Sequence, residues 1–333
     1  MKLISAPLLG LILLAAALSP ACAIISNDPS AAAPGVGSPP FNLKILYPDV
    51  PNFPADPAAA AAWIKTKAAA NDAQAEYALG WVAYLGVDAP PDPIQATQFF
   101  EQAASQGHEE AMLSLGWLQY DTPIINGTPK LAPRPNPHGY ELAAAKGNAI
   151  AAEVLAEQKN PMPGTPSSAR MQWYRKLANL GVPSAQVLLG RYNLAGFGGL
   201  KENIPEAVQW FLRAVGQGDA AAYASLGLFF TQRDDGAKDL PTAVRFLKIA
   251  ANRGAPLGLS AFGQLTANGI GVPKNEVEGL AMMYAAQAQG TVSDPAALDN
   301  LEKHLNPDQI TAAHKRSEEI LGPDKLAALQ PAP

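Results

Sequence analysis

From residue 58 onward the apolar positions of the chain fall on helical stripes, and the stripes repeat. Each copy opens with a small residue, a hydrophobic residue four places later and usually a glycine next to it. The copies are Ala75, Leu79, Gly80; Ala111, Leu115, Gly116; Ala151, Leu155, Ala156; Ala185, Leu189, Gly190; Ala222, Leu226, Gly227; and Gly258, Phe262, Gly263. A spacing of four places the small and the large residue on one helical face, so each copy starts with an amphipathic helix. A second stripe follows. It has an aromatic residue eight places before a closing glycine (Phe99, Trp173, Trp210 and Phe246, with Met282 in the last copy) and then a small pair such as Ala103-Ala104 or Ala250-Ala251. The closing glycines Gly107, Gly147, Gly181, Gly218, Gly254 and Gly290 lie 40, 34, 37, 36 and 36 residues apart, and Asn71 precedes the first by 36. Asp294, standing where a small residue is due, ends the series. A period of this length, held over six copies, is the mark of stacked helical hairpins.

The punctuation agrees. Second helices are predicted to start at Asp92-Pro93, Asn136-Pro137, Asn203-Ile204-Pro205 and Asp239-Leu240-Pro241, with a capping residue at or before a proline whose missing N–H costs nothing in a first turn. Glycine then stops each second helix in the left-handed conformation. Large rings opposite small side chains predict helices that approach closely. Copies two and three are irregular: a proline-rich insertion runs from Thr122 to Pro137, and Asn160-Pro161-Met162-Pro163-Gly164 replaces the loop glycines. Past the array, Asn306 and Pro307 open an amphipathic run to Leu321 that is expected to cover the last repeat.

In combination these motifs resemble the Sel-one-like repeat family, a branch of the tetratricopeptide-like helical repeats. Copy four carries the likeness in Ala185 to Gly190, Gly196-Phe197-Gly198, Glu206-Ala207 and Trp210-Phe211; copy six carries it in Phe262-Gly263 and in the N-G-x-G-V loop Asn268 to Val272. The resemblance spans roughly residues 68 to 294. It implies an all-α fold: a right-handed α-solenoid of about six helix-turn-helix repeats, first helices on the concave face, and a C-terminal capping helix.

The first 23 residues stand outside this scheme. Lys2 precedes an eleven-residue apolar run, Leu8 to Leu18, then Ser19-Pro20 and the small residues Ala21 and Ala23. This is the pattern of a secretory signal peptide, and the run is about half of the ~20 residues a spanning helix needs. Cys22, the one cysteine, allows a second reading, an outer-membrane lipoprotein acylated there; Ser19 stands where a lipobox favours leucine, so cleavage after Ala23 is preferred. The expected location is the periplasm, with a lipid anchor only if Cys22 is acylated and no transmembrane span in the mature chain. Residues 24–57 are a proline-rich leader whose apolar cluster Phe41, Leu43, Ile45, Leu46 and Tyr47 is placed either as a strap along the first helices or as part of a flexible linker. The predicted organisation is signal peptide 1–23, leader 24–57, repeat array 58–294, and capping helix with tail 295–333.

Composition narrows the chemistry. Over a third of the chain is Ala, Gly or Pro, aromatics are 7% and charged residues 16%, and the formal charge of −5 gives no sign of a nucleic-acid binder. One cysteine builds neither a disulfide framework nor a thiolate zinc site. None of the four histidines (His108, His138, His304, His314) lies three or four places from another, and there is no H-E-x-x-H or G-x-S-x-G. His108 is expected in a solvated loop, and His304 and His314 on the surface. Gly196 to Lys201 lies between helices and lacks the G-K-[ST] ending of a phosphate loop. The expectation is therefore a non-enzymatic scaffold or adaptor, with no cofactor and no metal, that binds a protein or peptide through the concave face. Alternatives are an envelope-assembly lipoprotein linked to polysaccharide or peptidoglycan, and a β-lactam-binding or β-lactam-hydrolysing repeat protein, whose relatives are cysteine-rich as this chain is not. Aromatic and arginine side chains dominate binding surfaces. From the first helices Tyr84, Tyr120, Arg191, Tyr192 and Phe230 are the candidate partner-binding residues, with Trp117 and Phe229 assigned to the core and Tyr84 and Tyr120 in equivalent places.

Overall fold

The structure, a computed structural model, describes residues 41–121, 139–159, 167–196, 200–232, 239–291 and 295–329. The expected signal peptide, Cys22, His138, the Thr122–Pro137 insertion and the Asn160–Gly164 loop lie outside the described residues. Among the described residues the elements are helices, with no strand. They form two compact units that divide within one helix, between Ala207 and Val208.

In the first unit, α1 (Pro57–Ala68), α2 (Ala73–Leu85), α3 (Pro93–Ser105), α4 (Glu109–Gly116), α5 (Gly139–Ala145) and α6 (Ala149–Lys159) pack as chain neighbours, as do α7 (Ser168–Leu180) and α8 (Pro183–Ala195). A π turn, Trp117–Asp121, extends α4. The second unit takes up α9 (Ile204–Gly216) after its first turn and continues with α10 (Ala220–Gln232), α11 (Leu240–Asn252), α12 (Pro256–Asn268), α13 (Glu276–Ala288), α14 (Pro295–His304) and α15 (Pro307–Leu329). There α10 packs on α11, α11 on α12 and α12 on α13, and α10 also reaches α12, the first helix of the next copy. Among the described residues the hairpins α2–α3, α4–α5, α10–α11 and α12–α13 thus pair in the expected order.

The core is built on a contact between the repeat glycine and the following helix. A Cβ at Gly80 would lie 2.3 Å from the Phe100 ring, one at Gly116 would lie 2.4 Å from the Tyr140 ring, and one at Gly227 would lie 2.5 Å from Leu247. The large side chain therefore sits directly on bare backbone, which only glycine permits. This corrects the predicted register. Where the lock is seen, the large residue stands seven places before the closing glycine, not eight: Phe100, Tyr140 and Leu247 are at most 1% exposed, whereas Phe99 is only half-buried; Trp173, Trp210 and Phe246, eight places before, are buried without meeting these glycines. In copy two the place eight before the closing glycine holds Gly139, where the backbones of α4 and α5 touch: a Cβ there would meet the Met112 carbonyl oxygen at 2.3 Å.

Capping also differs in part from expectation. Asp92, Asn203 and Asp239 cap second helices as predicted. The residue after each closing glycine, however, caps the first helix of the next copy: Asp72, His108, Asn148 and Asp219 accept from backbone N–H groups two or three places on. Where that residue is Val182 or Ala255, which cannot cap, a proline opens the helix. At the C-terminus, Asn306 and Gln309 cap α15 reciprocally. Leu305, Ala313 and Leu321 are buried against α13, so the tail covers the last hairpin as expected.

Candidate partner-binding surface

The first helices sort their large side chains into two groups. Trp81 and Trp117 are fully buried, Trp81 edge-on to Phe100 at 5.1 Å and Trp117 tilted on Tyr174 at 5.5 Å. Phe229 and Phe230 are buried too, and the Phe230 ring lies parallel to Phe246 at 6.1 Å. Phe230, a candidate for the surface, is at 5% exposure a core ring: its position four after Leu226 turns it back onto α11. Tyr84, Arg191 and Tyr192 remain half-buried. Tyr84 stands edge-on to Trp81 at 5.6 Å, and Tyr192 reaches the Trp117 group through Tyr174 at 6.3 Å. Tyr120 lies in the π turn Trp117–Asp121, and its side chain falls outside the described residues. A π turn adds a residue to the helical register, so Tyr120 and Tyr84 stand five after their leucines without sharing a helical position.

A second concavity, of about 370 Å3, was not anticipated. Ile45, Leu46 and Pro48 of the leader form one wall; Gln74, His108, Glu109, Glu110 and Lys176 form the other. His108 organises it. Its Nδ1 accepts from the Ala111 N–H at 3.2 Å, so Nε2 carries the proton and donates to Gln74 Oε1 at 2.8 Å. Gln74 Nε2 in turn donates to the Leu46 carbonyl oxygen at 2.8 Å. The imidazole is stacked on Tyr77 at 4.6 Å, and Lys176 pairs with Glu110 beside it. His108 is therefore a half-buried cap and not the solvated loop residue expected from its place after Gly107. The available signal was its alignment with Asp72, Asn148 and Asp219. His304 and His314 are exposed, as expected, the latter stacked on Tyr284.

Burial holds the His108 pKa below its ordinary value, reinforced by Lys176 and opposed by Glu110 and Asp72. Protonation at Nδ1 would also remove the acceptor that caps α4. A depressed folded-state pKa adds stability that is present above the unfolded value of about 6.5 and is lost as pH falls through the folded value. The melting temperature is expected to drop between about pH 7 and 5, and to drop less in His108→Asn, which keeps a cap of the Asn148 kind without titrating in this range. Parallel thermal melts check this; identical pH profiles for the two proteins would refute the assignment.

Among the described residues no group of three or more His, Cys, Asp or Glu side chains is placed to hold a metal ion. No described helix is long and apolar enough to cross a membrane.

The Sel1 repeat family model matches residues 73–108, 171–182, 183–219, 220–254 and 258–290. Its gap falls on α4 to α6, where the insertion and the irregular loop interrupt the pattern. No curated protein sequence matches the chain. Among solved structures, a protective antigen present in uropathogenic Escherichia coli strains, displaying an SLR fold, is 25% identical over 82% of this chain and 58% of its own, with a TM-score of 0.48. The chain therefore spans less than two thirds of that protein's length. A Sel1 repeat protein from Oxalobacter formigenes is 23% identical over 78% of this chain and 93% of its own, with a TM-score of 0.43.

Proposed function

The chain is a Sel1 repeat protein, and from that premise we propose that it is an exported, non-catalytic scaffold that binds a protein or peptide partner along its first helices. Sel1 repeats generally mediate protein–protein interaction and are typically non-catalytic. The observation that carries the reading to particular residues is the sorting of first-helix side chains. Trp81 of α2 and Trp117 at the end of α4 are sealed in the core, while Tyr84, Arg191 and Tyr192 keep part of their surface in solvent. Tyrosine and arginine offer large contact area with a polar end, which suits them to anchor a partner. Export rests on the pattern of residues 1–23, with cleavage after Ala23.

The test compares the wild-type protein with a Tyr84→Ala, Arg191→Glu, Tyr192→Ala variant in quantitative pull-downs from envelope extract, with circular dichroism to confirm equal folding. Partners enriched by the wild type are expected to fall about tenfold or more in the variant, the loss that removing one or two anchor residues produces. Equal recovery by both proteins sinks the surface assignment, and absence of any reproducible partner sinks the scaffold reading.

A further inference from the structure

Where copy one meets copy two, the first helices bury polar groups that the chain itself does not satisfy. Tyr77 and Trp81 stand one turn apart on α2, and both are fully buried. Among the described residues neither the Tyr77 hydroxyl nor the Trp81 indole N–H has a hydrogen-bond partner. Ser114, also fully buried, and Glu110 approach them from α4. Trp81, Ser114 and Glu110 all lie near enough to act on the Tyr77 hydroxyl, yet none is placed to bond it. Burial, and after it the charge of Glu110, holds the phenol well above its ordinary pKa, so it keeps its proton and is a donor. The Ser114 hydroxyl already donates to the Glu110 carbonyl oxygen at 2.8 Å, so toward a neighbour its oxygen can only accept. Lys176 takes Oε1 of Glu110, and the carboxylate still has lone pairs to offer.

The fold does not require this arrangement. Between copies five and six the four equivalent places hold Ala224, Leu228, Leu257 and Ala261, and all four are apolar. The polar set therefore belongs to one joint and not to the repeat. Buried polar groups are almost always bonded, to protein or to ordered water.

We propose that this joint is a binding site for one buried water molecule, which accepts from the Tyr77 hydroxyl and the Trp81 indole N–H and donates to Ser114 Oγ and the Glu110 carboxylate. The balance of donors and acceptors selects the ligand. Two of each match a neutral molecule that both gives and takes, and they fill the bonding capacity of a buried water. An anion would be repelled by the carboxylate, and a cation would face two donors. The cleft supplies the way in: Glu110 and His108 line it, and Tyr77 stacks on the His108 ring at 4.6 Å. With water bound, Glu110 joins three helices, holding Lys176 of α7 on one side and the water shared with α2 on the other.

A crystal structure of the unaltered protein is the direct test. A density peak is expected within about 2.7–3.2 Å of both Tyr77 Oη and Trp81 Nε1, with Ser114 Oγ and a Glu110 oxygen completing its shell. A direct bond from Trp81 Nε1 to Tyr77 Oη with no peak beside them overturns the proposal, and so does a peak that anomalous scattering identifies as chloride. NMR gives a second reading in solution. The Trp81 indole N–H, assigned by its loss in Trp81→Phe, is expected to show a cross-peak to a long-lived bound water. Ser114→Val removes one acceptor and puts a methyl group toward the site, and it is expected to abolish that cross-peak. Absence of the cross-peak in the wild type, or its persistence unchanged in Ser114→Val, counts against the site with the same force.

Discussion

Phe100→Ala is expected to destabilise the protein by about 3–5 kcal/mol, the upper range for core truncations. The ring is fully buried, edge-on to Trp81 at 5.1 Å and tilted on Tyr77 at 5.9 Å, with the bare backbone of Gly80 against its face. Helix backbone on one side and two larger rings on the other leave nothing able to relax into the vacated space, so the cavity term is close to full. The same geometry makes a second result follow. Gly80→Ala in the wild type drives a methyl into the ring and is expected to cost about 1–3 kcal/mol. In the Phe100→Ala background that methyl enters the cavity, and the substitution is expected to be neutral or stabilising. Urea unfolding of the four proteins of this double-mutant cycle measures the coupling. Simple additivity would mean that the two residues do not form the lock described.

Gly279→Val is expected to separate α12 from α13 and to lower stability by more than the ~1–3 kcal/mol of ordinary overpacking. A Cβ at Gly279 would meet the Gly263 carbonyl oxygen at 2.6 Å and the Ala267 backbone nitrogen at 2.7 Å. These are backbone atoms of a helix and cannot rotate aside as the end of a side chain can. The contact joins two buried clusters, one around Leu259 and Phe262 and one around Leu280 and Tyr284, so its loss exposes both. Gly216→Ala is the control: nothing lies within 4 Å of the added methyl, and the helix gains up to ~1 kcal/mol of propensity. Thermal unfolding with a hydrophobic dye compares the two. A Gly279→Val protein that melts with the wild type and binds no more dye would show that these helices are farther apart than described.

The repeat was legible because its determinants are local. The closing glycines Gly107, Gly147, Gly181, Gly218, Gly254 and Gly290 all take positive φ, a demand visible in one residue type at one spacing. The capped starts of α3, α9 and α11 and the Asn306 cap of α15 were legible for the same reason. What the sequence concealed depends on the neighbouring element. Phe99 and Phe100 are adjacent and identical in type, and only the position of Gly80 on α2 decides which one is locked. Phe230, like Tyr192, is an aromatic near the end of a first helix, but Phe246 of α11 claims it. His108 was hidden by chemistry: histidine caps helices less often than aspartate or asparagine, so its alignment with Asp72 and Asn148 carried the information that its identity did not. The cleft was hidden because its walls come from the leader and from the starts of α2 and α4 together with α7, distant in sequence. Of the candidate surface, Tyr84, Arg191 and Tyr192 stay partly open to solvent.

The tail has a consequence for assembly. Without α14 and α15, the buried face of α13 carrying Leu280, Ala281 and Tyr284 would be an open end. An open end of a repeat array is heterologous: it fits the opposite end of another copy and not itself, so such contacts propagate head to tail into filaments without closing. The bond from the Tyr284 hydroxyl to Glu302 and the bridge from Arg316 to Glu278 fasten the tail over that face. The tail thereby sets the length of the array as a chain stopper sets the length of a polymer.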